Sequence, residues 1–335
     1  MSLLKFASLI CFQKSNEGII KLIIVTGGAG FIGSNIVRGL NARGINDILI
    51  VDDLTDGSKC VNLSGLDFKD YIDKDDFIEV IQSGRSIDKV EALFHQGACS
   101  DTTEQDGRFM MKINFEYSKA VFSWATQQSI PFYYASSASV YGDGNIFKEE
   151  REYERPLNVY AFSKFLFDVH IRKLLSKVDI PVVGLRYFNV YGPCESHKGS
   201  MSSVAAHLHK QLQLGDTVHL FEGSGDYLAG CQERDFIHVD DVVAVNLWLL
   251  ENPQVSGIYN CGTGKARSFN DMAKIMISHY NRGEIVYIPF PESLKGRYQS
   301  YTEADITSLR KIGYGYNFIS LEQGIERYAR WLDAK

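Results

Sequence analysis

The chain has 335 residues, 45% hydrophobic and 23% charged, a length beyond what one hydrophobic core fills and a composition that excludes extended disorder as its main state. A formal net charge of −6 offers no global field to a polyanion, which argues against a nucleic-acid partner, and no stretch approaches the roughly 18 to 20 uninterrupted apolar residues of a membrane span. Its six cysteines, at 11, 60, 99, 194, 231 and 261, lack paired metal-ligand spacing and disulfide density, so free thiols in a reducing cytoplasm and no metal site are expected.

Residues 1–20 read as an N-terminal extension. The apolar run from Phe6 to Phe12 is short for a secretory signal, and Gln13 to Glu17 offers no small-residue cleavage site. From Leu22 short β-branched runs alternate with longer amphipathic stretches, the pattern of parallel βαβ units. Strands are expected over 22–26, 48–52, 92–95, 132–135 and 182–185, with helices over 30–43, 114–128 and 159–175 between them. Right-handed crossovers turn this order into an α/β Rossmann-type doubly wound parallel sheet. After about residue 191 the alternation gives way to a loop rich in Gly and Ser, a helix over 204–214 and short strands, then helices over 269–280 and 321–331. The expected division is a dinucleotide-binding domain over 21–190 with a return segment at 236–265, and a smaller C-terminal α/β substrate domain over 191–235 and 266–335.

The first strand runs into Thr26-Gly27-Gly28-Ala29-Gly30-Phe31-Ile32-Gly33, where glycines let backbone N–H groups approach a pyrophosphate at the start of a helix. Asp52 ends the second strand about 20 residues beyond the last glycine, as the dinucleotide fingerprint requires. The acidic pair Asp52-Asp53 favours NAD by accepting from an adenosine ribose and repelling a 2′-phosphate. Lys59 and Lys74 are close enough in the chain to offset that charge and keep NADP open, although their spacing alone reads as a solvated face.

Tyr160-Ala161-Phe162-Ser163-Lys164 places a phenol and an ammonium four residues apart, on one face of a helix. A cation and an oxidised nicotinamide together lower such a phenol towards working pH, where it can exchange a proton with a substrate hydroxyl. Ser136 and Ser137 follow a buried strand at its C-terminal end, where open α/β sheets bind ligands.

The glycine loop, the strand-end Ser pair and Tyr-x-x-x-Lys, in this order and separation, resemble the extended short-chain dehydrogenase/reductase family over nearly the whole chain from residue 22. The resemblance implies Ser137, Tyr160 and Lys164 as a catalytic trio, with Lys164 also holding the nicotinamide ribose. Family dehydratases carry acidic residues directly after the strand-end Ser; here Ala138 and Ser139 follow, which leaves epimerisation or reduction.

The segments Gln96 to Thr103, His197 to Met201, Phe221 to Ser224 and Leu294 to Gln299 are similar to the branch of that family that epimerises ADP-linked heptoses for the lipopolysaccharide inner core. That likeness implies tightly held NADP, with contacts from Gly27, Gly30, Phe31, Ile32, Gly33, Asp52, Asp53, Lys59, Lys74, Gln96, Gly97, Ala98, Cys99, Ser100, Asn114, Tyr160, Lys164, Val190 and Lys198. It implies substrate contacts from Asn189, Ser200, His207, Phe221, Glu222, Gly223, Ser224, Arg234 and Tyr298, and a homopentamer, while the lack of a signal or membrane span leads to the expectation of a cytoplasmic protein. Inverting a carbinol moves its hydroxyl, so one fixed Tyr is poorly placed for both epimers; by resemblance Tyr160 serves one side and Lys198 the other. Gln96 stands where the branch has Glu, Cys194 where Arg commonly follows Gly-Pro, Asp53 where Asn is frequent, and 225–233 reads as an insertion. A nucleotide-sugar 4-epimerase or reductase using the same trio is the nearest alternative. A cofactor-sensing regulatory protein is the alternative from another class, and it would not need the intact trio.

Overall fold

The computed structural model describes residues 22–334, apart from 85, 86, 88, 224 and 293–298. The expected extension over 1–20, Ser224 and Tyr298 therefore lie outside the described residues. The strands are β1 (Leu22–Thr26), β2 (Ile48–Asp52), β3 (Asp70–Asp73), β4 (Val90–His95), β5 (Phe132–Ser137), β6 (Val182–Tyr187), β7 (Asn189–Tyr191), β8 (Thr217–Phe221), β9 (Glu233–His238), β10 (Gly257–Cys261), β11 (Ala266–Ser268) and β12 (Glu284–Ile288). The helices are α1 (Phe31–Asn41), α2 (Cys60–Leu63), α3 (Lys74–Gln82), α4 (Gly107–Met110), α5 (Tyr117–Gln127), α6 (Val159–Arg172), α7 (Val204–Leu214), α8 (Val239–Glu251), α9 (Phe269–Tyr280), α10 (Thr307–Lys311) and α11 (Leu321–Asp333).

Seven strands form one all-parallel sheet in the order β10-β6-β5-β4-β1-β2-β3. The order reverses between β1 and β4, which opens a crevice at their carboxyl ends, the ligand position of doubly wound sheets. Continuous apolar runs such as Leu22–Thr26 make such strands because both faces are covered. On one face Ile36, Val37 and Leu40 of α1 pack with Val242, Val243 and Leu247 of α8; on the other, Phe77, Val121, Phe122, Phe167 and Ile171 come from α3, α5 and α6.

A separate core joins α7, β8, α9 and α11 through Leu208, Leu212, Leu220, Met272, Met276, Ile325 and Tyr328. β9 stands between β7 and β11 in a three-stranded sheet, whereas α8 and β10, which follow it, belong to the large layer. The chain thus crosses between the two cores at residue 191 and again near 238, and the crevice lies where it crosses.

Three features depart from the sequence reading. The edge strand β3 has no apolar run to announce it, being Asp-Tyr-Ile-Asp. The helix expected from 114 instead starts at α4 and passes through a π-type turn, Met111–Glu116, before α5. Such turns are frequent at functional sites, and the buried residue of this one is Asn114. β5 and β6 each run two residues further than expected, carrying Ser136, Ser137, Arg186 and Tyr187 to the crevice.

Among the described residues no helix is long and apolar enough to cross a membrane.

Candidate active site

The crevice is a cavity of about 1070 Å³. Its floor is the glycine loop. Gly27 has φ +67° and donates to Val51 O at 2.7 Å, and a Cβ there would lie 2.6 Å from Gly97 N. At Gly33 a Cβ would stand 2.0 Å from Gly27 O, so side chains at either position would fill the cradle. The first turn of α1 carries no acidic residue, leaving its N–H groups to an anion. Among the described residues the buried Gln96 Nε2 has no hydrogen-bond partner, while its Oε1 accepts from Tyr187 OH at 3.0 Å. A bare glycine cradle at a helix N-terminus, with an unpaired donor beside it, fits a dinucleotide.

The acidic pair is heavily engaged. Asp52 accepts from Ala29 N at 2.8 Å, from Asp53 N at 2.7 Å and from Lys59 Nζ at 2.7 Å. Lys74 Nζ lies 2.9 Å from Asp53 Oδ2, and bonds from Thr55 and Lys74 hold the Asp53 carboxyl well below its usual range. Lys59 and Lys74 are therefore not a solvated face, as spacing alone suggests; both turn onto the acidic pair, and both line the cavity.

The trio comes from two elements. Ser137 ends β5, and its Oγ accepts from the Ser139 amide at 3.2 Å. Asn158 caps α6 by accepting from Ala161 N at 2.8 Å, which sets Tyr160 and Lys164 on the face towards β5. Lys164 Nζ donates to Ala135 O at 2.9 Å. Burial pushes its ammonium down to about 8, against the pull of Asp168 and Cys99. Burial also raises the Tyr160 phenol, and the Ser137 hydroxyl opposes it. The polypeptide by itself thus does not lower that phenol; the expected lowering requires the cation and an oxidised nicotinamide together.

Beneath the trio lies a charge cluster that spacing did not reveal. Asp168, one turn beyond Lys164 and fully buried, accepts from Tyr134 OH, Ser136 Oγ, Arg186 Nε and Arg186 Nη2, each at 2.9 Å. Arg186 also donates to Glu154, and its guanidinium lies 4.9 Å from the Tyr141 ring centroid. Asp168 so ties the helix of Tyr160 and Lys164 to the strand of Ser137. A second buried chain runs from Gly97 N through Thr26 Oγ1 to His95 Nδ1 at 2.7 Å, and from His95 Nε2 to Ser118 Oγ at 2.8 Å. Burial pushes His95 down to about 3, so its ring is a neutral relay fixing the 96–100 loop.

Of the sequence candidates, the glycine-loop residues, Asp52, Asp53, Lys59, Lys74, Gln96 to Ser100, Ser137, Tyr160, Lys164, Asn189, Val190, Lys198, Ser200 and Arg234 all line this cavity. Lys198 arrives from the 192–203 loop and sits 5.5 Å from the Phe31 ring centroid. Its ammonium is lowered by burial and raised in part by Glu195. Arg234 is buried, with its guanidinium 5.5 Å from the Phe269 ring centroid. Asn114 stands behind the wall: its amide accepts from Cys99 N at 2.8 Å and donates to Cys99 O at 2.9 Å, shaping the loop from the rear. His207 bonds Ser200 O at 3.3 Å, and Phe221 packs edge-on against Phe290; neither lines the cavity, nor do Glu222 and Gly223.

Comparison with known proteins gives three consistent findings. A family described as "NAD dependent epimerase/dehydratase" matches residues 23–262. The chain is 57% identical over 307 residues to the ADP-L-glycero-D-manno-heptose-6-epimerase of Alkalilimnicola ehrlichii, covering 92% of this chain and 96% of that protein. Among solved structures, ADP-L-glycero-D-manno-heptose-6-epimerase of Helicobacter pylori superposes with a TM-score of 0.81 at 31% identity, over 94% of this chain and 97% of that one. UDP-glucose 4-epimerase of Thermotoga maritima gives 0.78 at 26% identity, over 93% and 99%.

Proposed function

The chain belongs to the NAD dependent epimerase/dehydratase family, and from that membership we propose that it epimerises ADP-D-glycero-D-manno-heptose at C6 to the L-glycero form, a precursor step for the lipopolysaccharide inner core. The observation that carries the reading is that Tyr160 on α6 and Lys198 on the 192–203 loop line one cavity. An epimerase must serve a hydroxyl in two positions, and two proton-transfer groups reaching one cavity from separate segments suit that need. When bound, the oxidised nicotinamide supplies a reversible hydride acceptor.

The residues divide the remaining work. Ser137 holds the Tyr160 hydroxyl, which exchanges a proton with the carbinol of one epimer. Lys164, fixed on Ala135 O, keeps a positive charge beneath the phenol and would hold the cofactor ribose when the dinucleotide is bound. Lys198, with its ammonium lowered by burial, exchanges the proton of the other epimer. Arg234 offers a planar fork to the substrate diphosphate. The absence of a carboxylate at 138 and 139 keeps the sequence from continuing to dehydration.

Incubation with ADP-D-glycero-D-manno-heptose, followed by NMR, should show the C6 epimer accumulating to equilibrium. Turnover of UDP-galactose without turnover of the heptose would overturn the substrate assignment.

NADP is supported over NAD by Lys59 and Lys74, which bring two ammonium groups to the end of β2 where a 2′-phosphate would lie, while Asp52 is already engaged by three donors. Nucleotide released on denaturation should therefore be NADP. Lys74→Ala should lower NADP affinity relative to NAD about tenfold, or ~1.4 kcal/mol, measured by competitive rebinding; an unchanged ratio would remove Lys74 from the reading. Family resemblance further supports a homopentamer.

A further inference from the structure

The 192–203 loop that carries Lys198 is built around a side chain with no place in the chemistry above. Glu195 is fully buried. Its Oε1 accepts from Gly192 N at 3.2 Å and from Ser203 Oγ at 2.7 Å, and its Oε2 accepts from Ser203 N. Gly192 follows β7, and Ser203 is the N-cap of α7, so one carboxylate joins the two ends of the loop. The same residue's carbonyl accepts from Lys198 N at 2.9 Å and Ser202 Oγ at 3.1 Å, which folds the tip back over its base.

The start of the loop is moored to the cofactor-binding half. Asn35 Nδ2 donates to both Phe31 O at 2.8 Å and Pro193 O at 2.9 Å. Asn62 Nδ2 donates to Ala29 O at 3.0 Å and Cys194 O at 3.2 Å. Cys194 takes φ +75°, a conformation rare for a residue with a Cβ, and its Sγ accepts from Arg38 Nη2 at 3.2 Å. Backbone strain next to Glu195 persists only where the surroundings over-determine it, and here both sides do so.

We propose that Glu195 is the positioning residue for Lys198: its buried carboxylate closes the loop between residues 192 and 203 and holds the Lys198 ammonium against the glycine-loop end of the cavity. The proposal rests on the reading of Lys198 as the second proton-transfer group. It adds what places and tunes that group. The Glu195 carboxylate opposes the lowering of the Lys198 ammonium by burial. Titratable groups around the pair include His197 and Cys194 on the same loop, Tyr328 from α11, and Lys59, Asp56 and Asp52, which face His197.

The test is Glu195→Gln in the full-length protein with its bound nucleotide retained. Turnover should fall at least tenfold. Removing the negative charge should also move the Lys198 amine to a lower midpoint, read by pH-graded acylation and mass spectrometry, with Lys164 in the same sample unmoved. That second readout does not depend on activity. If Lys198→Met proves active, the assignment of the second base fails while the midpoint shift still tests Glu195. An unchanged Lys198 midpoint together with unchanged turnover overturns the proposal. Should the Gln variant not fold, Glu195→Asp keeps the charge but shortens the reach. It should leave the midpoint near the parent value and still lower turnover; parental turnover in Glu195→Asp equally overturns the proposal.

Discussion

Tyr160→Phe is expected to reduce epimerisation by about two to four orders of magnitude, the usual weight of a positioned general acid–base, while the bound nucleotide is retained. The substitution removes one oxygen from a side chain whose ring stays on α6 behind the Asn158 cap, so the cavity wall is preserved. What is lost is the hydroxyl that Ser137 holds and that burial keeps protonated in the protein alone. Lys164 is anchored on Ala135 O and is given the cofactor ribose to hold, so it is not expected to replace the lost phenol. Lys198→Met should give a comparable loss, since each group serves one face and a complete cycle needs both. Turnover is read by NMR, and nucleotide content by absorbance after denaturation. Near-parental turnover in either variant would remove that residue from the chemistry.

The second large effect is on stability. Arg186→Met should destabilise the fold by about 3–5 kcal/mol, the cost of leaving buried carboxylates without their partner. Asp168 would keep only the Tyr134 and Ser136 hydroxyls, and Glu154 only Arg172. Burial pushes Glu154 up, and Arg172 and Arg186 together bring it below its usual value; without Arg186 that balance shifts towards protonation. Urea unfolding measures the loss. The double variant Arg186→Met/Asp168→Asn should lose less than the two single variants summed, because the second change removes the carboxylate the first strands. Strict additivity would show that the pair does not act as a unit. A turnover defect in Arg186→Met at low temperature, where the variant is folded, is also expected: Asp168 then no longer ties α6 to β6, the strand paired with that of Ser137.

Both effects arise where local pattern and long-range contact meet. Strands β1 and β2, and helices α7 and α9, begin and end where the sequence alone puts them. Their signals are local: a β-branched run against a glycine turn, and Ser203 or Ser268 as an N-cap ahead of an apolar helical stripe. The glycine spacing and Tyr160-x-x-x-Lys164 are legible for the same reason, since a turn and one helical period fix relative position without help from the rest of the chain.

Other features had no local signal. The polar edge strand β3 exists because β2 offers it a parallel partner. Lys59 and Lys74 look like surface lysines until the fold turns them onto Asp52 and Asp53. Asp168, Arg186 and Glu154 are ordinary charged residues in sequence and become a buried cluster only when α6 lies on β5 and β6. The sequence by itself therefore determined the dinucleotide cradle, the chain order of five of the seven strands of the large sheet and the Tyr160–Lys164 pair, all properties of residues within a few turns of each other, whereas Lys198 came from family resemblance. The tertiary structure alone decided which charges neutralise which, and that the Lys198 loop is closed by Glu195 beside the glycine loop. Burial and ion pairing depend on segments far apart in the chain, and only the folded packing of those segments sets the dielectric and the distances that give a charge its role.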